Sequence, residues 1–409
     1  MTSFELTQVS RRWRAAIAVG FISVSLMPRL AVADIAPAVA PARSPTDRVA
    51  ERFLQTRGHV AIASFTADAS GAPLASDPSV LLNLERRMPL GSSIKIPAVI
   101  AYAVAVERGE IDPNETITTE TWEQLYMPDA DGGSHARALA ELGLASDDYG
   151  FALDRSATVS IQRLMELMIH HSDNAAYDYI VRRLGEAQLA SILAECALTS
   201  IDVPSSDVGE VLTRSNHEIG TLTAVRIARF KVMSRQELQA EFNGWREKFL
   251  DPQWKAEEFA WRLAGGADEP YARQAAALAI TDPKGAAGEF ARLMIEISQG
   301  RLISMAVSDR VAAILEWPLA WIPGATDAFE RWGAKGGSIP GVLTDNNFTI
   351  AKVGDFAGSL RVTVVFVDGL GASAWRKLLD SNLFLFEQRL MSDAAFVASL
   401  QKRLERGNR

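Results

Sequence analysis

The sequence predicts an α+β fold: one antiparallel sheet built from N- and C-terminal segments, flanked by helices, with an all-helical lobe inserted between them. Three observations carry this reading. Short β-branched runs (HVAIASFTAD and SVLLNL) lie near the N-terminus, a second set (RWGAKGGS, NNFTIAKVG and SLRVTVVFVDG) follows from Arg331, and helical patterning fills about 112–320 between them. At 409 residues, 48% of them hydrophobic and 22% charged, the chain has ample length for a full core. Its net charge of −8, with no clustered basic face, argues against a nucleic-acid partner.

The elements follow in order. Arg11, Arg12 and Arg14 precede an apolar run from Ala15 to Met27 and then Ala31-Val32-Ala33, the pattern of a secretory signal peptide over residues 1–33. The run is too short to span a bilayer comfortably, so the expectation is a periplasmic or secreted protein with no stable membrane insertion after cleavage; an uncleaved signal anchor is the alternative. A Pro/Ala linker covers 34–47, and 48–409 reads as one domain. Ser44-Pro45 opens a helix through Thr56 with Val49, Phe53 and Leu54 on one side. The turn DASGAPL separates the first two strands, and a helix starts near Ser92. Ile161, Leu164, Met165 and Met168 mark a helix in the lobe, and Asp282-Pro283 and Gly300 punctuate another. A last helix runs from about Trp375 to Leu390. The lone cysteine, Cys196, can form no internal disulfide and lies in an apolar helical pattern that reads as core.

The helix near Ser92 poses the chemical question. Ala98, Val99, Ala101, Tyr102, Val104 and Ala105 leave it almost no polar face, yet Lys95 stands at its mouth. Burying an uncompensated ammonium is expensive. Residues three apart share a helix face, so Ser92 and Lys95 bring a hydroxyl and an amine together. Serine needs an adjacent base to act as a nucleophile, and desolvation lowers a lysine's pKa toward that role. Alone, S-x-x-K reads equally as an N-cap serine with a snorkelling lysine. It has company here: Ser172-Asp173-Asn174 in HHSDNAAYDYI, and Lys335-Gly336-Gly337-Ser338 in WGAKGGSIPG. Separately, these read as a cap and a hairpin turn.

In this order the three elements resemble the S-x-x-K, S-D-N and K-T-G motifs of the class A β-lactamases and penicillin-binding proteins. The resemblance covers most of the chain from the first strand to the last helix, and TDPKGAAGEFARLMIEISQGRLIS looks like the T-x-P helix of that family. It implies Ser92 as acylated nucleophile, Lys95 as its proton acceptor and Ser172 as the relay to the leaving nitrogen. It further implies that Asn174 binds Lys95 and a substrate amide, and that Lys335 binds the substrate carboxylate. The amides of Ser92 and Ser338 would form the oxyanion hole, with Gly336 and Gly337 lying bare against substrate. No cofactor is implied, and the partner is a small β-lactam or peptidoglycan-like molecule.

The pattern also breaks. Gly336 stands where the family has threonine, and no E-x-x-L-N segment supplies the deacylating glutamate. Glu269, before a proline and with Arg273 at the asparagine position, and Glu210 are candidates, though each reads more readily as a solvated carboxylate. The interval from Ser172 to Pro283 is long for the family, and FNGWREKFLDPQWKAEEFAWRLAGG fills it with extra helices. Gly132-Gly133 suggests a turn presenting Ser134 and His135, the latter reaching substrate or simply solvated. His170 and His171, adjacent on a helix, are expected to diverge, so no metal site is expected. Three functions follow: β-lactam hydrolysis through acyl–Ser92, a D-alanyl-D-alanine peptidase or esterase on the same fold, or a low-turnover binding protein.

Overall fold

The structure, a computed structural model, describes residues 44–128 and 130–406. The signal-peptide pattern and the linker as far as residue 43 lie outside these residues. Ser44 caps the first helix, α1 (Pro45–Gln55), through a reciprocal capping box with Asp47, so that helix starts inside the stretch read as linker.

Five strands form the main sheet: β1 (Val60–Thr66), β2 (Val80–Leu82), β3 (Phe329–Ile339), β4 (Val342–Ala351) and β5 (Leu360–Val367). Their order is β2-β1-β5-β4-β3, with every neighbouring pair antiparallel. The N- and C-terminal segments meet where β1 pairs with β5, Val60 opposite Val367 and Thr66 opposite Arg361. Alternation then divides the side chains between two layers. Ala61, Ala63, Phe65, Val362, Val364 and Phe366 face the large core shared with the inserted helices. Val60, Ile62, Val365 and Val367 face α1 and the C-terminal helices.

The centre of the inserted region is α2 (Lys95–Glu107), buried at every residue from 95 to 105. A helix apolar all round has to be enclosed, and this one is. Of the inserted helices α3 (Ser134–Glu141), α4 (Ile161–His170), α5 (Asn174–Leu184) and α6 (Asp207–Arg214), α4 and α5 pack directly against it. The extra Trp- and Phe-rich segment forms α7 (Arg235–Phe249) and α8 (Pro252–Leu263), divided where Asp251 caps the second. These helices buttress α6: Val208 and Leu212 pack with Phe249. A Cβ on Gly209 would lie 2.2 Å from the Phe242 carbonyl oxygen, so only glycine permits that crossing.

Three sequence expectations are corrected. The helix placed after Asp282-Pro283 begins only at Ala287, as α9 (Ala287–Ser298), because Lys284–Ala286 pairs with Arg87–Pro89. The last helix is interrupted: Ser381 takes φ +74°, after which α10 (Leu383–Ser392) and a further helix, α11 (Ala394–Arg406), follow. A second short ladder joins Thr116–Thr118 to Thr158–Ser160 inside the helical region. Among the described residues no helix is long and apolar enough to cross a membrane.

Candidate active site

The nucleophile's turn is held from below and from the side. Gly91 takes φ +50° and opens a single 3-10 turn, Gly91–Ile94, so Ser92 precedes the α-helix proper, which starts at Lys95. The Leu90 and Gly91 amides both donate to Asp282 Oδ2, at 2.7 and 2.8 Å. Burial and the nearby Glu210 charge push the Asp282 carboxyl up to about 8. Thr344 Oγ1 on β4 donates to the Leu90 carbonyl at 2.7 Å.

Lys95 resolves its own burial by satisfying its ammonium with oxygens. Its Nζ reaches Asn174 Oδ1 at 2.6 Å, Ser92 Oγ at 2.8 Å, the Ser172 carbonyl at 3.1 Å and Ser172 Oγ at 3.4 Å. Burial lowers its pKa, with the charges of Asp207 and Asp173 opposing. Lys335 Nζ approaches from β3, donating to Ser172 Oγ at 3.0 Å and to the Gly336 carbonyl at 2.7 Å. Burial, then repulsion from Lys95, depresses it well below the ordinary lysine value. Two lysines therefore share one serine hydroxyl.

The S-D-N turn carries strain and a clamp. Ser172 sits at φ +65°, a left-handed conformation uncommon outside glycine. Asp173 caps α5 through Oδ1, accepting from the Ala176 amide at 2.7 Å, while its Oδ2 meets His135 Nδ1 at 2.7 Å. His135 Nε2 lies 3.2 Å from Glu123 Oε1, and both side chains are wholly buried. Burial alone would lower the His135 pKa, but Asp173 and Glu123 raise it to about 10, making it an imidazolium. The tight turn at Gly132-Gly133 exists, both glycines at positive φ, but it turns Ser134 and His135 inward. His135 thus neither faces solvent nor reaches a substrate; it holds Asp173.

Gly337 is bare for a different reason than substrate approach. A Cβ there would lie 2.3 Å from the Leu90 carbonyl, 2.5 Å from Thr344 Oγ1 and 2.8 Å from the Ser92 amide nitrogen. The edge strand β3 therefore presses directly on the nucleophile's turn. Gly91 in turn lies against Ser338, its Cβ position 3.2 Å from the Ser338 amide nitrogen. Gly336 faces away, toward Asp345.

Neither proposed glutamate joins this cluster. Glu210 Oε1 accepts from Thr281 Oγ1 at 2.8 Å and pairs with Arg214 at 2.6 Å. Glu269 accepts from the Leu222 amide and lies 3.9 Å from Arg273. Neither is a solvated surface carboxylate either; each caps or pairs inside the helical region. The acid that does reach the site is Asp207, at the first turn of α6: Asn174 Nδ2 donates to its Oδ2 at 2.9 Å. Burial pushes its carboxyl up to about 6 against the pull of Lys95. Asp178 beside it accepts from the Asp207 and Val208 amides, and burial and the Asp207 charge raise it to about 7. Asp207 follows Ser205-Ser206 as an ordinary helix-cap sequence, and nothing in the sequence around it marks it as a base.

His170 and His171 do not diverge. The helix α4 ends at His170, and the two rings lie 4.2 Å apart, centroid to centroid. His170 uses the near nitrogen, Nδ1, and His171 the far one, Nε2, so both reach Glu141 Oε2, at 2.7 and 2.5 Å. Cys196 is buried and free, its thiol pushed up to about 11 chiefly by burial.

Comparison with known proteins gives the following. A β-lactamase from Sphaerobacter thermophilus matches at 16% identity over 84% of this chain and 95% of its own, with a TM-score of 0.48. PBP-A, solved as a mutant acyl-enzyme complex with penicillin G, matches at 16% identity over 85% of this chain and 98% of its own, TM-score 0.47. A β-lactamase from Chitinophaga pinensis gives 16%, 84%, 99% and 0.47. Comparison with curated proteins gave no match. A family model described as the beta-lactamase enzyme family matches residues 63–346. That match spans more than half of the chain and all three motifs, and the protein belongs to the beta-lactamase enzyme family.

Proposed function

We propose that this chain hydrolyses β-lactams through an acyl–Ser92 intermediate, with Asp207 activating the deacylating water. The observation that carries the reading is the 2.8 Å contact between Lys95 Nζ and Ser92 Oγ inside a buried network of oxygens. With its proton lost, Lys95 accepts the Ser92 proton as Oγ attacks the lactam carbonyl. The Ser92 and Ser338 amides stabilise the oxyanion, the charge that develops only in the transition state. Ser172 Oγ, within reach of both lysines, passes a proton to the departing ring nitrogen as the C–N bond breaks. Lys335 draws the substrate's carboxylate to that side of the site.

Deacylation needs a base on the α6 side. Asp207 is one hydrogen bond from Asn174, which is one hydrogen bond from Lys95. An ionised Asp207 takes a proton from water as the water oxygen attacks the ester carbonyl, and as the C–Oγ bond breaks that proton passes to Ser92 Oγ, leaving Asp207 ionised and Lys95 neutral as at the start. The N-terminal pattern at 11–33 supports export, so the working compartment would be the periplasm or the medium.

The test is intact-mass spectrometry over time with penicillin G, beside Ser92→Ala. The expected result is a wild-type adduct of one penicillin that decays within the assay while the drug is consumed, and no adduct on the variant. Persistence of the adduct for hours would assign a penicillin-binding or peptidase role instead. No adduct with intact drug would remove β-lactam chemistry altogether.

A further inference from the structure

We propose that Glu141, His170 and His171 form a binding site for one divalent first-row metal ion of the zinc type, next to the S-D-N turn. Two imidazole nitrogens and one carboxylate oxygen are the donor set such ions take, with a position left open. The three donor atoms, His170 Nδ1, His171 Nε2 and Glu141 Oε2, all lie within 4.8 Å of one another.

A plain hydrogen-bond cluster does not account for all of it. His170 Nδ1 has no hydrogen-bond partner although its side chain is only 8% exposed and Glu141 Oε2 is 2.7 Å away. The nitrogen and the carboxylate pair at 2.7 Å without completing a hydrogen bond of ordinary geometry. An unpartnered buried lone pair is costly, and a metal ion would satisfy it. The surroundings are built as an outer shell: Arg163 takes the other oxygen, Glu141 Oε1, leaving Oε2 as a single-oxygen ligand. Trp321 and Trp317 cover His170 at 4.3 and 5.1 Å between ring centroids, screening one side from water.

The fit requires a small opening. Zinc–ligand bonds of about 2.0–2.1 Å place tetrahedral ligand atoms roughly 3.3 Å apart, against 2.5 and 2.7 Å between carboxylate and imidazoles here. The rings must part by less than about 1 Å, with each ring proton on the nitrogen away from the ion: Nε2 in His170, Nδ1 in His171. His171 directly precedes Ser172, so an occupied site would fix the residue leading into the strained turn.

The experiment is calorimetric titration of the folded full chain with Zn²⁺ alone, together with nitrogen-detected NMR of its five histidine rings. The expected result is one ion per chain, with ring signals of His170 and His171 shifting and those of His59, His135 and His217 unmoved. Glu141→Gln should weaken binding about tenfold or more, whereas His217→Asn, at the separate pair with Glu258, should leave it unchanged. If the Glu141 variant folds poorly, the wild-type spectrum alone decides. No saturable binding, or shifts confined to other rings, would overturn the proposal.

Discussion

Asp207 is the residue on which turnover depends in this reading. A general base works only when deprotonated, and burial has raised this carboxyl to about 6. Turnover should therefore fall as pH drops below about 6, where deacylation loses its base. Asp207→Asn keeps an oxygen for Asn174 but cannot take a proton. We expect deacylation slowed by roughly 10²–10⁴-fold, with acylation changed far less, read as a long-lived adduct by mass spectrometry. An adduct that decays at the wild-type rate would remove Asp207 from the mechanism. The contrast with Ser92 and Lys95 shows what a sequence exposes. A nucleophile and its base three residues apart announce themselves by type and spacing. Asp207 acts across 33 residues through Asn174, and no local pattern marks it.

At the scale of elements, the S-D-N turn is a strained segment held by a neighbour. Ser172 at φ +65° would relax elsewhere if its flanks were free. They are not: Asp173 is bound to His135, and His135 to Glu123, in a place closed to water. His135→Gln replaces the imidazolium by a neutral amide and leaves two buried carboxylates without their countercharge. Such a loss costs about 3–5 kcal/mol, and we expect a fall of that order in unfolding free energy by denaturant titration. Acylation should slow in the variant that remains folded, because Ser172 and Asn174 flank Asp173. Unchanged stability would mean that the imidazolium does not bind the turn. This clamp was not legible in the sequence. His135 follows two glycines, which marks a turn but not the side on which the turn's side chains fall. The same limit hid the convergence of His170 and His171, where adjacency predicted divergence and a shared carboxylate from α3 reversed it. The sheet, by contrast, was legible at both ends, because β1 and β5 are long enough for β-branched runs to show. The three-residue ladders were not.

For the whole molecule, catalysis and stability pull on the same pH range from opposite sides. Asp282 ties the helical region to the nucleophile's turn through the Leu90 and Gly91 amides. Its carboxyl, ordinarily near 3.8, is raised to about 8 in the fold. An acid with a raised folded pKa binds its proton more tightly in the native state, so unfolding releases that proton between the two values. Its contribution to stability is complete below about pH 4 and declines as pH rises to about 8. Catalysis wants the reverse, an ionised Asp207 above about 6 and an unprotonated Lys95. For the two carboxyls, Asp207 and Asp282, the demands overlap between about pH 6 and 8, where we expect turnover to be sustained. Asp282→Asn separates them, since its amide oxygen still accepts both backbone N–H groups but does not titrate. Thermal melts of both proteins from pH 5 to 9 provide the check. Relative to the wild type, the variant should gain stability steadily up to about pH 8 and then hold that gain. Parallel profiles would show that Asp282 is ionised in the native fold, and that the nucleophile's turn is held by a charge.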